Sequence, residues 1–231
     1  MRSWRERAAR NNAEWCATMC TLAGTSSQFS DDTWTSSSRP PPLFPDAVTL
    51  LPSPSIPGLM SRIDPAPGAS IKDSFAALDL EPLGFRVLLD AQWIVRPPPI
   101  PSGNETGATW SAVRDEAMLG VWNEAWSATH GTSTRVAHAI LARDEIVVGA
   151  RVERGAVVAG GILNRSDGVV GVSNVFTLSG RVVDTWAQCV AFAGGRFPGL
   201  PLVGYETADE LAPAEECGFG AVGPLRIWIR D

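Results

Sequence analysis

The sequence predicts an α+β fold, a central mixed sheet flanked by helices, and three observations carry that prediction. The runs Ile146-Val-Val-Gly-Ala-Arg-Val-Glu153, Ala156-Val-Val-Ala-Gly-Gly-Ile-Leu163 and Val169-Val-Gly-Val-Ser-Asn-Val-Phe176 are apolar and rich in β-branched residues. They are separated by Arg154-Gly155 and Ser166-Asp167-Gly168, which is the pattern of a three-stranded antiparallel meander. Helical spacing stands on both sides of it: Met118, Val121, Trp122, Ala125 and Trp126 before, Val182, Trp186, Cys189, Val190 and Ala193 after. Finally, Leu202-Val-Gly-Tyr205 reads as a buried strand and Leu225-Arg-Ile-Trp-Ile-Arg230 as an alternating one, with a helical segment between them.

The chain opens with a helix over about residues 3–23, on a stripe through Ala8, Trp15, Met19 and Leu22, with Gly24 as the residue beyond its end. Cys16 and Cys20 share a face at i, i+4. No His or Cys pair completes a zinc set, so packing is their expected role. Residues 26–38 read as a polar loop, and the end of Phe44-Pro-Asp-Ala-Val-Thr-Leu-Leu51 as a short strand. Ser70-Ile-Lys-Asp73 has the form of a helix cap and predicts a helix through Phe75, Leu78 and Leu80. Gly84-Phe85 and a strand ending Trp93-Ile-Val-Arg96 follow.

Fourteen of the eighteen prolines fall between Pro40 and Pro101, and Pro97-Pro-Pro-Ile-Pro-Ser-Gly-Asn-Glu-Thr-Gly107 reads as a linker. The expected organisation is residues 1–96, a linker over 97–107, and a second part over 108–231. In that second part Asp115 is the expected cap of the helix to about Thr129. A second helix covers about 181–194. Thr207-Ala-Asp-Glu210 forms a capping box, Pro213 splits its helix, and Gly218 ends it. Helix, Gly-Phe corner and Trp-Ile strand thus occur twice, at 70–96 and 207–230.

Of 231 residues, 45% are hydrophobic and 19% charged, which excludes wholesale disorder. A net charge of −6 argues against a phosphate-neutralising nucleic-acid surface. No stretch has the roughly 20 apolar residues needed to cross a bilayer. The four cysteines are too sparse for a disulfide scaffold. The expectation is a cytoplasmic protein with free thiols and no membrane or nucleic-acid partner. Eighteen arginines stand against one lysine, Lys72, a compositional bias. His130 and His138 read as surface or satisfied core residues. Of the nine tryptophans, Trp122 and Trp126 stack at i, i+4 and read as core, with an aromatic wall for an amine acceptor as the alternative for part of the cluster.

The element order over 108–231 resembles the GNAT superfamily of acyl-CoA N-acyltransferases. The resemblance rests on strand 169–176 running into a helix, on 202–205 followed by a helix ending at Gly218-Phe219, and on the closing Gly223-Pro-Leu-Arg-Ile-Trp-Ile-Arg230. The repeat makes residues 40–96 a shortened second copy, so the resemblance is to a degenerate tandem form. It implies a central mixed sheet whose fourth strand splays from the fifth. The pantetheine arm of acetyl-CoA would then pair with Ser173, Asn174, Val175 and Phe176. The pyrophosphate would lie against Ser179, Gly180, Arg181, Val182 and Val183, where helix N–H groups favour anions. The implied reaction is acetyl transfer to a small-molecule amine, with Tyr205 and Glu206 as the nearest candidates for acid and base and Val175 or a neighbour donating to the oxyanion.

This sequence departs from the family in three ways. Val183 and Thr185 stand where the family has glycines, Asp184 adds a negative charge at the anion site, and Ala214 replaces a frequent tyrosine. These departures support the rival reading, a binding or regulatory module that kept the fold and lost catalysis.

Overall fold

The computed structural model describes residues 2–98 and 110–231. Residues 99–107 of the expected linker therefore lie outside the described residues. The chain divides into two compact units. One comprises Met1–Ile94, Tyr205–Asp209 and Ala221–Asp231, the other Val95–Gly204 and Glu210–Gly220. In both, helices flank a mixed sheet, the α+β class expected.

In the first unit, α1 (Trp4–Leu22) starts at a capping box. Ser3 Oγ accepts the Glu6 N–H at 3.3 Å, and the Ser3 N–H donates to the Glu6 carboxylate at 2.6 Å. Gly24 follows the helix at φ 75°, the left-handed turn that glycine supplies without strain. One face of α1, through Ala13, Cys16 and Cys20, buries against Trp34, Val48 and Leu50.

Residues 26–38 are not simply a loop. They contain the antiparallel pair β1 (Ser27–Phe29) and β2 (Thr33–Ser36), and β2 pairs onward with β3 (Ala47–Thr49). All four residues of β2 are buried, so no polar–apolar alternation marks it. Asp46 just ahead of β3 is buried. Arg39 Nη1 donates to both its oxygens at 2.8 Å, and the Ser70 N–H donates to one of them. After the short helix α2 (Ile56–Met60) comes a second difference from expectation. Ser70-Ile-Lys-Asp73 is not a helix cap but β4 (Ser70–Asp73), parallel to β3. Asp73 does act as a cap-like acceptor, but for a turn: it takes the N–H groups of Phe75 and Leu78. Backbone pairing on both sides outweighs the local capping preference. The predicted helix over 70–80 is thereby excluded.

The chain then turns at Gly84 (φ 81°) into β5 (Phe85–Arg96). In the second unit β6 (Ser111–Ala112) precedes α3 (Glu116–His130), whose cap is Asp115, accepting the Met118 N–H at 2.9 Å. Trp122 and Trp126 stack at 5.8 Å and are both buried, the core role expected of them. The meander follows as β7 (Ile146–Glu153), β8 (Ala156–Ser166) and β9 (Val169–Thr177), antiparallel throughout. Arg154-Gly155 and Asp167-Gly168 all have positive φ, as two-residue hairpin turns require. Next come α4 (Val182–Arg196) and β10 (Leu202–Glu206).

The helix expected to start at Thr207 starts later. Helix α5 runs only over Leu211–Glu216, and Glu210 makes no side-chain cap bond. Pro213 supplies the reason. Its ring excludes a helical carbonyl four residues earlier and it has no N–H, so the helix can start only where the proline falls in the first turn. The chain ends in β11 (Gly220–Arg230), whose Arg226–Ile229 segment pairs antiparallel with β4.

The two Gly-Phe corners are built alike. N–H groups of Leu83, Gly84 and Phe85 donate to the carbonyls of Leu80, Glu81 and Leu80. Those of Cys217, Gly218 and Phe219 donate to Ala214, Glu215 and Ala214. Corner and strand therefore recur at 80–96 and 214–230; the helix before the corner does not.

Candidate active site

In the second unit β9 has two different edges. Along one it pairs with β8 from Val169 to Thr177. Along the other it pairs with β10 in parallel over two positions only, Val170 with Leu202 and Gly171 with Val203. Beyond Gly171 the edge from Val172 to Thr177 has no ladder to β10, which is the divergence the sequence predicts.

The same stretch carries a bulge. The register with β8 shifts between Ile162–Ser173 and Gly160–Phe176, so Asn174 and Val175 stand opposite Gly161 alone. Asn174 sits at φ 55°, a region asparagine tolerates better than most residues. Gly160, opposite Phe176 beside the bulge, has no room for a side chain: a Cβ there would lie 2.7 Å from the Phe176 ring and collide with Trp122 Nε1. Phe176 is buried edge-on to Trp122 at 5.4 Å. Ser173 Oγ is buried with no hydrogen-bond partner among the described residues.

β9 leads into the start of α4 through a turn at Gly180, φ 90°. The N-cap, Arg181, makes no side-chain cap bond, so the first N–H groups of the helix have no capping side chain. Arg181 is exposed, and so are Leu178 and Val182, at 51% and 49%. The turn is anchored from beneath by Arg151 of β7, whose side chain is 8% exposed. Its Nη2 donates to the Ser179 carbonyl at 2.8 Å and to Ser179 Oγ at 3.3 Å; its Nη1 donates to Gln188 Oε1 at 3.3 Å. Thr177 Oγ1 also donates to the Ser179 carbonyl, at 2.7 Å. The Ser179 carbonyl thus accepts from two side chains, Arg151 and Thr177. Arg151 was not visible in the sequence, where it reads as one arginine inside a strand.

The nine residues assigned to the cofactor thus lie together on β9 and the start of α4. Tyr205 and Glu206, the candidates for acid and base, belong to the first unit at the end of β10. There Trp93 meets the Tyr205 ring edge-on at 5.5 Å, and Lys72 Nζ lies 4.2 Å from its centroid. Lys72 is 3% exposed and donates to Asn12 Oδ1 at 2.8 Å. The chain's single lysine and single tyrosine are therefore in contact, a cation–π pair inside the first unit. Ala214, where the family has tyrosine, is buried and serves the second corner through its carbonyl. His130 Nδ1 lies 3.1 Å from the Trp126 carbonyl on its own helix.

The four thiols are not poised for chemistry. Burial pushes Cys16 and Cys189 up to about 12 and raises Cys20 and Cys217 as well. Cys217 Sγ lies 3.4 Å from the Val183 carbonyl in the first turn of α4. Cys16, Cys20 and Cys189, all buried, are expected to react with a thiol reagent at pH 8 only on unfolding, and the half-buried Cys217 sooner. The thiolate is the reactive form, so fast labelling of Cys16 or Cys189 would contradict this environment. The pH dependence has a definite sign. A thiol with a raised folded pKa contributes stability that is present below the unfolded value of 9.0 and lost as pH rises toward about 12. Melting temperature should fall across that window, and a Cys16→Ala/Cys189→Ala variant should show a shallower fall.

No protein-family model matches the sequence, and no curated protein does either. Solved structures do resemble it. A GCN5-related N-acetyltransferase from Kribbella flavida matches with a TM-score of 0.64 at 14% identity, over 96% of this chain and 95% of its own. A protein assigned to the GNAT acetyltransferase family, from Novosphingobium aromaticivorans, matches with a TM-score of 0.60 at 16% identity, over 97% and 96%. A GCN5-related N-acetyltransferase from Sphaerobacter thermophilus gives 0.51 at 15% identity, over 75% and 63%. Along nearly its whole length, therefore, the chain has the fold of the GNAT N-acetyltransferases.

Proposed function

We propose that the protein transfers an acetyl group from acetyl-CoA to an amine of a small molecule. The observation that carries this reading is the short β9–β10 ladder, which leaves the Val172–Thr177 edge of β9 without a β10 partner. Backbone groups of Ser173, Asn174, Val175 and Phe176 supply polar partners for the amides of a pantetheine arm. The bulge re-aims the Asn174 and Val175 amides, and one of them serves as the donor to the thioester oxyanion. N–H groups of residues 179–183, with Arg181, take the pyrophosphate.

The acceptor nitrogen bonds to the thioester carbon and the carbon–sulfur bond breaks. The amine nitrogen gives up its proton to a general base and the departing thiolate takes up a proton. Ala214 favours the rival reading, a binding module without catalysis, because the family's usual acid is absent there.

Calorimetric titration with acetyl-CoA tests the proposal. An exposed helix start contributes about 0.3–1 kcal/mol to anion binding and an arginine–phosphate contact about 1.5–3 kcal/mol before ordering costs. Asp184 in the first turn of α4 subtracts from this, so binding is expected to be weak. Arg181→Ala should weaken it several-fold and Asp184→Asn should strengthen it. No heat at millimolar acetyl-CoA would end the transferase reading. Binding without acetyl transfer to any of a panel of amines would favour the module.

A further inference from the structure

We propose that the second unit carries an anion-binding site separate from the acyl-transfer site, with three arginines that suit a phosphate monoester. A cavity of about 240 Å³ lies among the segment 112–114, the residues 140–148 and the end of α4, and is lined by Arg114, Arg143 and Arg196. This is smaller than the roughly 300–1,000 Å³ typical of drug-sized ligands and fits a compact metabolite. Among the described residues neither Arg114 nor Arg196 has a carboxylate within ion-pair distance. Arg143 reaches Glu145 only at 3.7 Å, between side chains that are 40% and 41% exposed.

Asp144 also lines the cavity and Glu145 stands beside Arg143, so three arginines face two carboxylates there. In a chain of net charge −6 such a gathering is against the average. Arg196 alone has an ordinary explanation, since a cation in the last turn of α4 complements the helix dipole. That explanation covers neither Arg114 nor Arg143. Guanidinium groups bind phosphate oxygens through paired N–H donors, so arginines lining one small cavity suit a phosphate better than a carboxylate.

The site is distinct from the acyl-transfer site. Arg196 and Val182 are the opposite ends of α4, 14 residues apart, which at 1.5 Å per residue is about 21 Å. Its occupation does not depend on acetyl-CoA binding.

The test is a titration of the full chain with inorganic phosphate at low ionic strength, followed residue by residue through backbone amide NMR. Low salt matters because the arginines are partly exposed and screened. Amides over 112–114, 140–148 and 196 should shift and saturate, and should do so equally in Arg181→Ala. Arg114→Gln/Arg196→Gln, two surface substitutions, should weaken that response at least tenfold without changing the melting temperature. Arg196→Lys, which keeps the charge but not the fork, should weaken it by a smaller factor. Shifts confined to residues 178–183, or a response that survives the double substitution, would overturn the site. Tighter binding of succinate than of phosphate would overturn the phosphate assignment.

Discussion

Gly160→Ala is expected to destabilise the second unit severely, by about 3 kcal/mol. The added methyl would collide with Trp122 Nε1 and lie 2.7 Å from the Phe176 ring. Neither ring has room to retreat, since Trp122 is fully buried and Phe176 is 3% exposed. Overpacking of this kind costs about 1–3 kcal/mol. Displacing Trp122 also breaks its Nε1 bond to the Gly149 carbonyl, 3.0 Å long, and leaves a buried donor unpaired at a further cost of about 1–3 kcal/mol. For a chain of this size each kcal/mol lowers the melting temperature by about 2–4 °C. Gly195→Ala is the control. It lies in α4 with nothing within 4 Å of the new methyl, so it should be neutral or slightly stabilising. A Gly160→Ala protein that melts with the wild type would show that the Trp122–Phe176 packing next to the bulge is loose.

What the sequence reveals and what it hides follows from the range of the interactions involved. The meander was legible because its turns are local: Gly155 and Gly168 supply left-handed backbone between apolar runs. Helix α3 was legible because Asp115 caps it three residues from its donor. By contrast β4 was misread as a helix start. Its two charged residues, Lys72 and Asp73, are buried, and a buried charge cancels the hydrophobic signal of a strand. The partner that makes Lys72 tolerable, Asn12, is 60 residues away. Strand β2 was misread for a related reason. Its threonines and serine are buried on every side, so a polar composition hides a core strand.

The candidate site shows the same division. Gly180 and Arg181 stood out in the sequence because a glycine turn before an amphipathic helix is a local pattern. The bulge at Asn174 did not, because a register shift exists only between two strands. The corners at Gly84 and Gly218 could be read in advance as repeats, since their three hydrogen bonds each span no more than five residues.

Arg151 is the residue that local reasoning could not find, and its replacement is the sharpest probe of the cofactor reading. Arg151→Met should weaken acetyl-CoA binding at least tenfold, more than loss of Arg181 does. Arg181 offers one exposed contact to a ligand. On the cofactor reading, Arg151 fixes the backbone whose N–H groups donate to the ligand, through bonds to Ser179 and Gln188 that lie 28 and 37 residues from it in sequence. Charge-assisted bonds of this kind are worth about 1.5–3 kcal/mol each when made. Methionine fills much of the buried volume, so the loss should appear as a mobile Ser179–Gly180 turn and not as unfolding. Arg151→Lys should recover only part of the affinity, because one ammonium cannot hold Ser179 and Gln188 in the geometry of a planar fork. The readout is calorimetric affinity together with amide order at residues 178–183. If Arg151→Met binds acetyl-CoA as the wild type does while its turn is disordered, the N–H groups at the start of α4 are not what holds the pyrophosphate.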